Sequence, residues 1–216
     1  MSEIDIVFPC LNEASALPWV LRRVPLGAQA IVVDNGSVDD SPVTAMRLGA
    51  LVVPCSQRGY GAACHAGLAA ARASVVAFCD CDGTIDPVEV VRFAAALADG
   101  ADLVVGRRRA LTRSAFPATA RLANVALARR VRMRTGIRIT DVGPLRVGRR
   151  TDLLALGVTD RRFGYPVETI VRAADAGWAI AHLDVDYRPR IGRSKVTGTV
   201  RGYAKAVKDM HRVLSA

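Results

Sequence analysis

The chain lacks several features that would narrow its class at once. None of its 216 residues fall in a run approaching the roughly 18–20 unbroken apolar positions that cross a bilayer. The opening Met1-Ser2-Glu3-Ile4-Asp5 has neither the basic n-region nor the apolar h-region of a secretory signal, so a cytoplasmic location is expected. Aromatic residues amount to 5%, and Phe116 is the sole one between positions 107 and 150. Stacking platforms for single-stranded nucleic acid are therefore missing, and no nucleic-acid-binding motif occurs. No G-x-x-x-x-G-K-[ST] phosphate loop is present, which removes the common ATPase route. The 5 cysteines, an odd number clustered between Cys10 and Cys81, suit reduced thiols better than a disulfide framework. No repeat, linker or low-complexity tract divides the chain.

What is present is a core-forming composition with unevenly placed charge. Hydrophobic residues make up 51% and charged residues 23%, too apolar for a disordered chain and enough for one sizeable core. The 30 Lys+Arg and 20 Asp+Glu leave a formal net charge of +10. Residues 1–106 carry a balance of −6, residues 107–150 carry 13 arginines and the single acid Asp141, and residues 151–216 carry +4. The excess sits in one segment, which implies an anionic partner there.

Five β-branched runs alternate with helical patterns in the first half: Ile4–Phe8, Ala30–Val33, Leu51–Val53, Ser74–Phe78 and Asp102–Val105. Such continuous apolar strands imply burial on both faces, hence an α/β fold with a mainly parallel sheet flanked by helices. Ser41-Pro42 and Asp86-Pro87-Val88-Glu89 read as helix N-termini, the second with a capping-box acid. Small apolar residues over 60–72 suit a helix packed close to the sheet. Beyond residue 106 the pattern predicts a helix over Pro117–Arg134, a strand near Val142–Val147, a helix over Tyr165–Ala176 and a strand at Ile180–Tyr187. A final helix is expected over Thr197–Leu214, within a basic C-terminal extension.

The sharpest local feature is Cys79-Asp80-Cys81-Asp82-Gly83, directly after the fourth run. Ligands of open parallel sheets sit at the carboxyl ends of strands. Two carboxylates at i and i+2 there can address one hard cation, whose remaining shell comes from phosphate oxygens and water. Asp34-Asn35-Gly36-Ser37 ends the second strand, and Phe8-Pro9-Cys10-Leu11-Asn12-Glu13 ends the first. Each alone is an ordinary turn; three polar ends on one sheet edge make a crevice. Gly59-Tyr60-Gly61-Ala62-Ala63-Cys64 is not a dinucleotide fingerprint, because the third glycine is absent and the segment does not follow the first strand. Cys64, His65, Cys79 and Cys81 match no zinc spacing.

Taken in order, Pro9…Asn12-Glu13, Val32-Val33-Asp34-Asn35-Gly36-Ser37, Gly59-Tyr60-Gly61-Ala62 and Asp80-Cys81-Asp82-Gly83 resemble a family 2 glycosyltransferase of the GT-A fold. Val105-Gly106-Arg107-Arg108, Asp141-Val142-Gly143-Pro144-Leu145-Arg146, Tyr165-Pro166-Val167-Glu168 and Tyr187–Lys195 are similar to the dolichyl- or polyprenyl-phosphate sugar transferase branch. The resemblance covers roughly residues 3–198 and implies one GT-A domain, with residues 1–106 binding nucleotide sugar and 107–216 binding acceptor. It implies that Pro9, Leu11, Glu13, Val33, Asp34 and Asn35 hold base and ribose. Asp80, Cys81 and Asp82 then lie at the diphosphate, with Asp80 and Asp82 holding Mg²⁺ or Mn²⁺. Arg108, Arg190 and Lys195 would grip donor diphosphate and acceptor phosphate. Two positions depart from the family pattern. Asn35 replaces a usual Asp, leaving the base of the UDP- or GDP-sugar open, and Thr84 stands where mannose-transferring relatives commonly have Gln.

A polyprenyl-phosphate acceptor carries its own negative charge and needs no strong general base, whereas a soluble hydroxyl acceptor would. Asp141 and Glu168 are the candidate bases, or partners of neighbouring arginines. In the last helix, Arg201, Lys205, Lys208 and Arg212 form a basic stripe beside Val200, Ala204, Val207 and Leu214, a pattern that suits a membrane surface or a helix packed on the core. The expected reading is an inverting, metal-dependent transfer at the cytoplasmic membrane face. Transfer to a soluble hydroxyl, and nucleic-acid binding by the arginines of 107–150, are the competing readings.

Overall fold

In a computed structural model, which describes residues 3–192, 208–210 and 212–214, seven strands form one sheet. The strands are β1 (Ile4–Cys10), β2 (Ala28–Asp34), β3 (Leu51–Pro54), β4 (Val75–Phe78), β5 (Leu103–Ala110), β6 (Arg146–Arg149) and β7 (Ile180–Tyr187). Their order across the sheet is β3-β2-β1-β4-β6-β5-β7. The first four are mutually parallel, β6 runs antiparallel between β4 and β5, and β5 is parallel to β7. The helices are α1 (Leu17–Leu21), α2 (Ser41–Arg47), α3 (Tyr60–Ala70), α4 (Val90–Ala98), α5 (Ala118–Thr135), α6 (Arg150–Ala155) and α7 (Tyr165–Asp175).

Alternation along each strand divides the core. Ile6, Phe8, Val32, Ala77 and Val104 pack on one face with α1 and α4, through Leu17, Val20, Val90 and Phe93. Val7, Ile31, Val33, Phe78 and Val105 pack on the other with α3 and α7, through Leu68, Val167 and Ile170. Both faces of the strands are buried, which is why their sequences read as unbroken apolar runs.

Three elements differ from the sequence expectation, each for a visible reason. β5 continues past Val105 through Arg107–Arg109 because β7 continues beside it, setting Arg107 opposite Asp184 and Arg109 opposite Asp186. Both arginines pair with those acids across the strands, so charge complementarity replaces apolar burial as the reason for extension. The strand expected near Val142 starts only at Arg146. A Cβ on Gly143 would lie 1.6 Å from the Gly106 carbonyl oxygen, so residues 141–145 run beside β5 at a separation that only glycine permits. Ser41 is the first residue of α2 rather than its cap. Its hydroxyl accepts from the Glu13 backbone N–H at 2.8 Å and donates to Asp39 at 2.5 Å.

Lys195 and most of the expected final helix, Arg201 and Lys205 included, lie outside the described residues. Arg212, which is described, pairs with Asp160 at 2.7 Å, while Val213 and Leu214 pack against the core. At that end Val213 and Leu214 face the core while Lys208 and Arg212 stay exposed. Among the described residues no helix is long and apolar enough to cross a membrane.

Candidate functional site

The carboxyl ends of β1, β2 and β4 converge, as the register demands: β1 pairs with both neighbours, with Cys10 opposite Asp34 and Val7 opposite Phe78. The loops after β1 and β2 are laced together. Asn35 N–H donates to the Cys10 carbonyl at 2.8 Å, Asn12 N–H to Ser37 Oγ at 2.9 Å, and Val38 N–H to Asn12 Oδ1 at 2.8 Å. Asn12 holds φ +54° to make this possible, a conformation Asn tolerates better than most side chains.

Asn35 is buried and all of its amide is used within the chain. Its Nδ2 donates to the carbonyls of Cys55 (3.2 Å) and Gln57 (2.7 Å), and its Oδ1 accepts from Gly59 N–H at 2.8 Å. The residue that departs from the family pattern thus ties the β2 end to the loop entering α3. Asp34 accepts from Ser37 N–H at 3.0 Å. Val33 is fully buried in the core, so its side chain is turned away from the crevice. Pro9 and Leu11 are half-buried beside it, and the Pro9 carbonyl accepts the thiol of buried Cys81 at 3.0 Å. All five cysteines are free thiols.

The two carboxylates after β4 have different surroundings. Asp80 accepts the Tyr60 hydroxyl at 3.1 Å, and that hydroxyl accepts from Arg146 Nη2 at 3.2 Å. Burial first, then the neighbouring charge of Asp82, push the Asp80 carboxyl up to about 6, against the pull of Arg146. Arg146 itself is fully buried; its Nη1 donates to the Gly143 carbonyl at 2.9 Å, its Nε has no partner among the described residues, and its guanidinium lies 5.7 Å from the Phe78 ring centroid. Asp82 accepts from Thr84 N–H (3.0 Å) and Thr84 Oγ1 (2.6 Å) through one oxygen and from Arg190 Nη1 (3.0 Å) through the other. The second arm of Arg190 pairs with Glu13. Backbone bonds from Arg188 to Thr84 and from Ile191 to Asp82 hold this post-β7 segment across the crevice.

A second polar cluster stands beyond the close approach of Gly106 and Gly143. Arg108 grips Asp141 through Nε at 3.0 Å and Nη2 at 2.6 Å, reaches Asn124 at 2.9 Å, and stacks 4.2 Å from the Phe116 ring centroid, with Tyr187 at 5.6 Å. The adjoining cavity, about 320 Å³, is lined by Arg107, Arg108, Phe116, Arg121, Val125 and Asp141. A larger one of about 790 Å³ lies elsewhere, between α6, α7 and the C-terminal residues. Its acids are matched to arginines: Glu168 with Arg172, Asp160 with Arg212 and Asp175 with Arg134. Glu168 therefore lies apart from the strand-end crevice.

The structure brings Glu13, Asp80, Asp82 and Arg190 together and sets Arg108 with Asp141 in a separate cluster; Lys195 lies outside the described residues. Sequence reading missed Tyr60 and Arg146 as functional partners. The available signal was an arginine between Leu145 and Val147, where an apolar residue would be expected. The glycines flanking Tyr60 also have a packing reason: Cβ atoms there would lie 2.1 Å and 2.7 Å from the carbonyls of Arg161 and Asp160.

The sequence model of glycosyl transferase family 2 matches residues 5–157. An uncharacterized glycosyltransferase of Mycobacterium tuberculosis (strain ATCC 25618 / H37Rv) is 47% identical over 213 residues, spanning 98% of each chain. A dolichyl-phosphate hexose transferase of Haloferax volcanii is 31% identical over 206 residues, 94% of this chain and 90% of that protein. Among solved structures, glucosyl-3-phosphoglycerate synthase of Mycobacterium tuberculosis, in complex with Mn²⁺, UDP-glucose and phosphoglyceric acid, superposes with a TM-score of 0.76 at 23% identity, over 99% of this chain and 78% of that one.

Proposed function

The chain belongs to glycosyl transferase family 2 and is a glycosyltransferase of GT-A fold; on that premise we propose that it moves a sugar from UDP- or GDP-sugar to a polyprenyl phosphate, with inversion, at the cytoplasmic membrane face. One domain divides the work: residues 1–106 take the donor and 107–216 the acceptor. The observation that carries this reading is the placement of two unlike poles. A carboxylate pair stands at the end of β4, and an arginine-lined cavity stands beyond it with its one acid, Asp141, already spent on Arg108.

The donor set at β4 fits a hard divalent cation. Asp80 and Asp82 supply only oxygen ligands, and their mutual repulsion in a buried place is relieved by positive charge. Among the described residues no cluster of three or more His, Cys, Asp or Glu side chains forms a protein-only cage, as suits an ion that shares substrate phosphates. Mg²⁺ or Mn²⁺ held by Asp80 and Asp82 would supply Lewis-acid stabilisation of the departing diphosphate. Arg190, held between Glu13 and Asp82, adds positive charge beside the same leaving group.

The acceptor side supports a phosphate over a hydroxyl. Both candidate bases are occupied: Asp141 by Arg108, and Glu168 by Arg172 and the N–H groups of Thr159 and Asp160. An anionic acceptor needs neither. The Haloferax relative, named for transfer to dolichyl phosphate, supports the lipid form. The deciding experiment supplies radiolabelled UDP- and GDP-sugars with Mg²⁺ and a membrane extract. Label entering the organic phase supports the proposal; label confined to a water-soluble product overturns the lipid acceptor.

A further inference from the structure

We propose that α5 is the face this chain lays on an anionic bilayer, an inference that rests on the lipid-phosphate reading and locates its membrane contact. Of the 18 residues of α5, only Ala128 and Val131 are buried. Leu122 is 71% exposed, Val125 60% and Met133 75%. At about 100° per residue these three share an outward sector of about 120° with Arg121, Arg129 and Arg132. Those arginines have no acidic partner among the described residues, although Arg107, Arg108, Arg109, Arg134 and Arg149 of the same segment all do. Internal pairing thus removes much of the segment's charge and leaves the remainder beside exposed aliphatic side chains. Apolar residues set among unpaired arginines complement the headgroup–acyl boundary of an anionic lipid surface.

Two alternatives fit less well. A two-fold contact with a second copy would press the same patch against itself, arginine toward arginine. The basic stripe foreseen in the last helix is a poorer candidate at its described end, where Arg212 is committed to Asp160. Position favours α5 as well, because Arg121 and Val125 also wall the cavity beside Arg108. A lipid phosphate at a bilayer held by α5 would therefore enter the acceptor cavity along the same helix.

The test is flotation of the purified full chain with phosphatidylcholine vesicles and with mixed phosphatidylcholine–phosphatidylglycerol vesicles, alongside Leu122→Ser/Met133→Ser and Arg129→Glu/Arg132→Glu. All four positions lie outside the cavity lining. Wild type should float only with the anionic vesicles. Arg129→Glu/Arg132→Glu should lose at least tenfold in partition, since one arginine near such a surface contributes about a fivefold factor, and Leu122→Ser/Met133→Ser should lose at least as much through the apolar area it no longer buries, each keeping its thermal midpoint. Partition equal to wild type in both variants overturns the assignment. So does a concentration-dependent dimer abolished by Leu122→Ser/Met133→Ser without vesicle binding, which would give the face to a second copy. Flotation is read without any transfer, so vesicle binding by α5 with no organic-phase label leaves this inference standing and removes the acceptor reading alone.

Discussion

Arg190 and Asp82 lie 108 positions apart in the chain and meet at 3.0 Å. Glu13 takes the other arm of the same guanidinium, so one cation clasps the loop after β1 to the loop after β4. Two carboxylates left without it would repel each other across the crevice. Arg190→Ala should therefore lower both stability and turnover, the latter by about 100-fold, the scale on which a single preorganised donor acts. Arg190→Lys keeps the charge but cannot fork between two acids, and should recover stability more than turnover. Steady-state kinetics beside thermal melts separate the two effects; a Lys variant with full turnover would show that charge alone suffices.

The Tyr60 hydroxyl connects a buried cation to a buried acid, accepting from Arg146 and donating to Asp80. Removing it leaves Arg146, among the described residues, with the Gly143 carbonyl as its remaining hydrogen-bond partner and an Nε already unsatisfied. Tyr60→Phe preserves the ring and should cost about 1–3 kcal/mol of unfolding free energy, the range for stranding a buried polar partner. Urea denaturation at neutral pH measures it. A loss below about 0.5 kcal/mol, the size of an ordinary surface substitution, would mean that water replaces the hydroxyl.

These two relationships mark where the sequence stops being legible. β7 is legible to the residue because Ile180–Tyr187 is a single β-rich run, and the Asp80–Asp82 pair is legible because both acids sit within four positions of the end of a buried strand. Val142 and Leu145 look strand-like, yet β6 begins only at Arg146 because the close approach of Gly143 to Gly106 governs the backbone before it. The short helices α1 and α6 left no clear periodic pattern. The charge of residues 107–150 is plain in the sequence, yet its pairing with Asp184, Asp186, Asp175 and Asp102 depends on contacts between distant segments. Local patterns exposed the strand ends; only the fold shows which arginine each acid meets.

Asp80 should be indispensable for metal-dependent donor binding. It is one of the two oxygen-donor side chains at the β4 end, and burial beside Asp82 already makes its negative charge costly. Asp80→Ala should abolish the gain in UDP or GDP affinity that Mg²⁺ or Mn²⁺ produces, while leaving the weaker metal-free affinity within about threefold, a change below 1 kcal/mol. Isothermal titration of nucleotide with and without metal reads both quantities. An undiminished metal-dependent increment in the variant would place the ion elsewhere.

Glu168 predicts an acid limb in the stability of the α7 side. Burial pushes its carboxyl up, but the N–H groups of Thr159 and Asp160, then Arg172 and the Thr159 hydroxyl, outweigh that and hold it below its ordinary value of 4.5. A carboxyl depressed on folding stabilises the folded chain above its unfolded pKa, and that contribution is lost as pH falls through the folded value. Glu168→Gln should therefore be less stable than wild type at pH 7, with the gap closing progressively below about pH 5. Because Glu168 lies away from the β4 crevice, donor affinity at pH 7 should stay unchanged while stability drops. Urea midpoints of both proteins between about pH 3 and pH 7 test the sign; a gap that stays constant across that range would show that the ionised carboxylate contributes nothing beyond its shape.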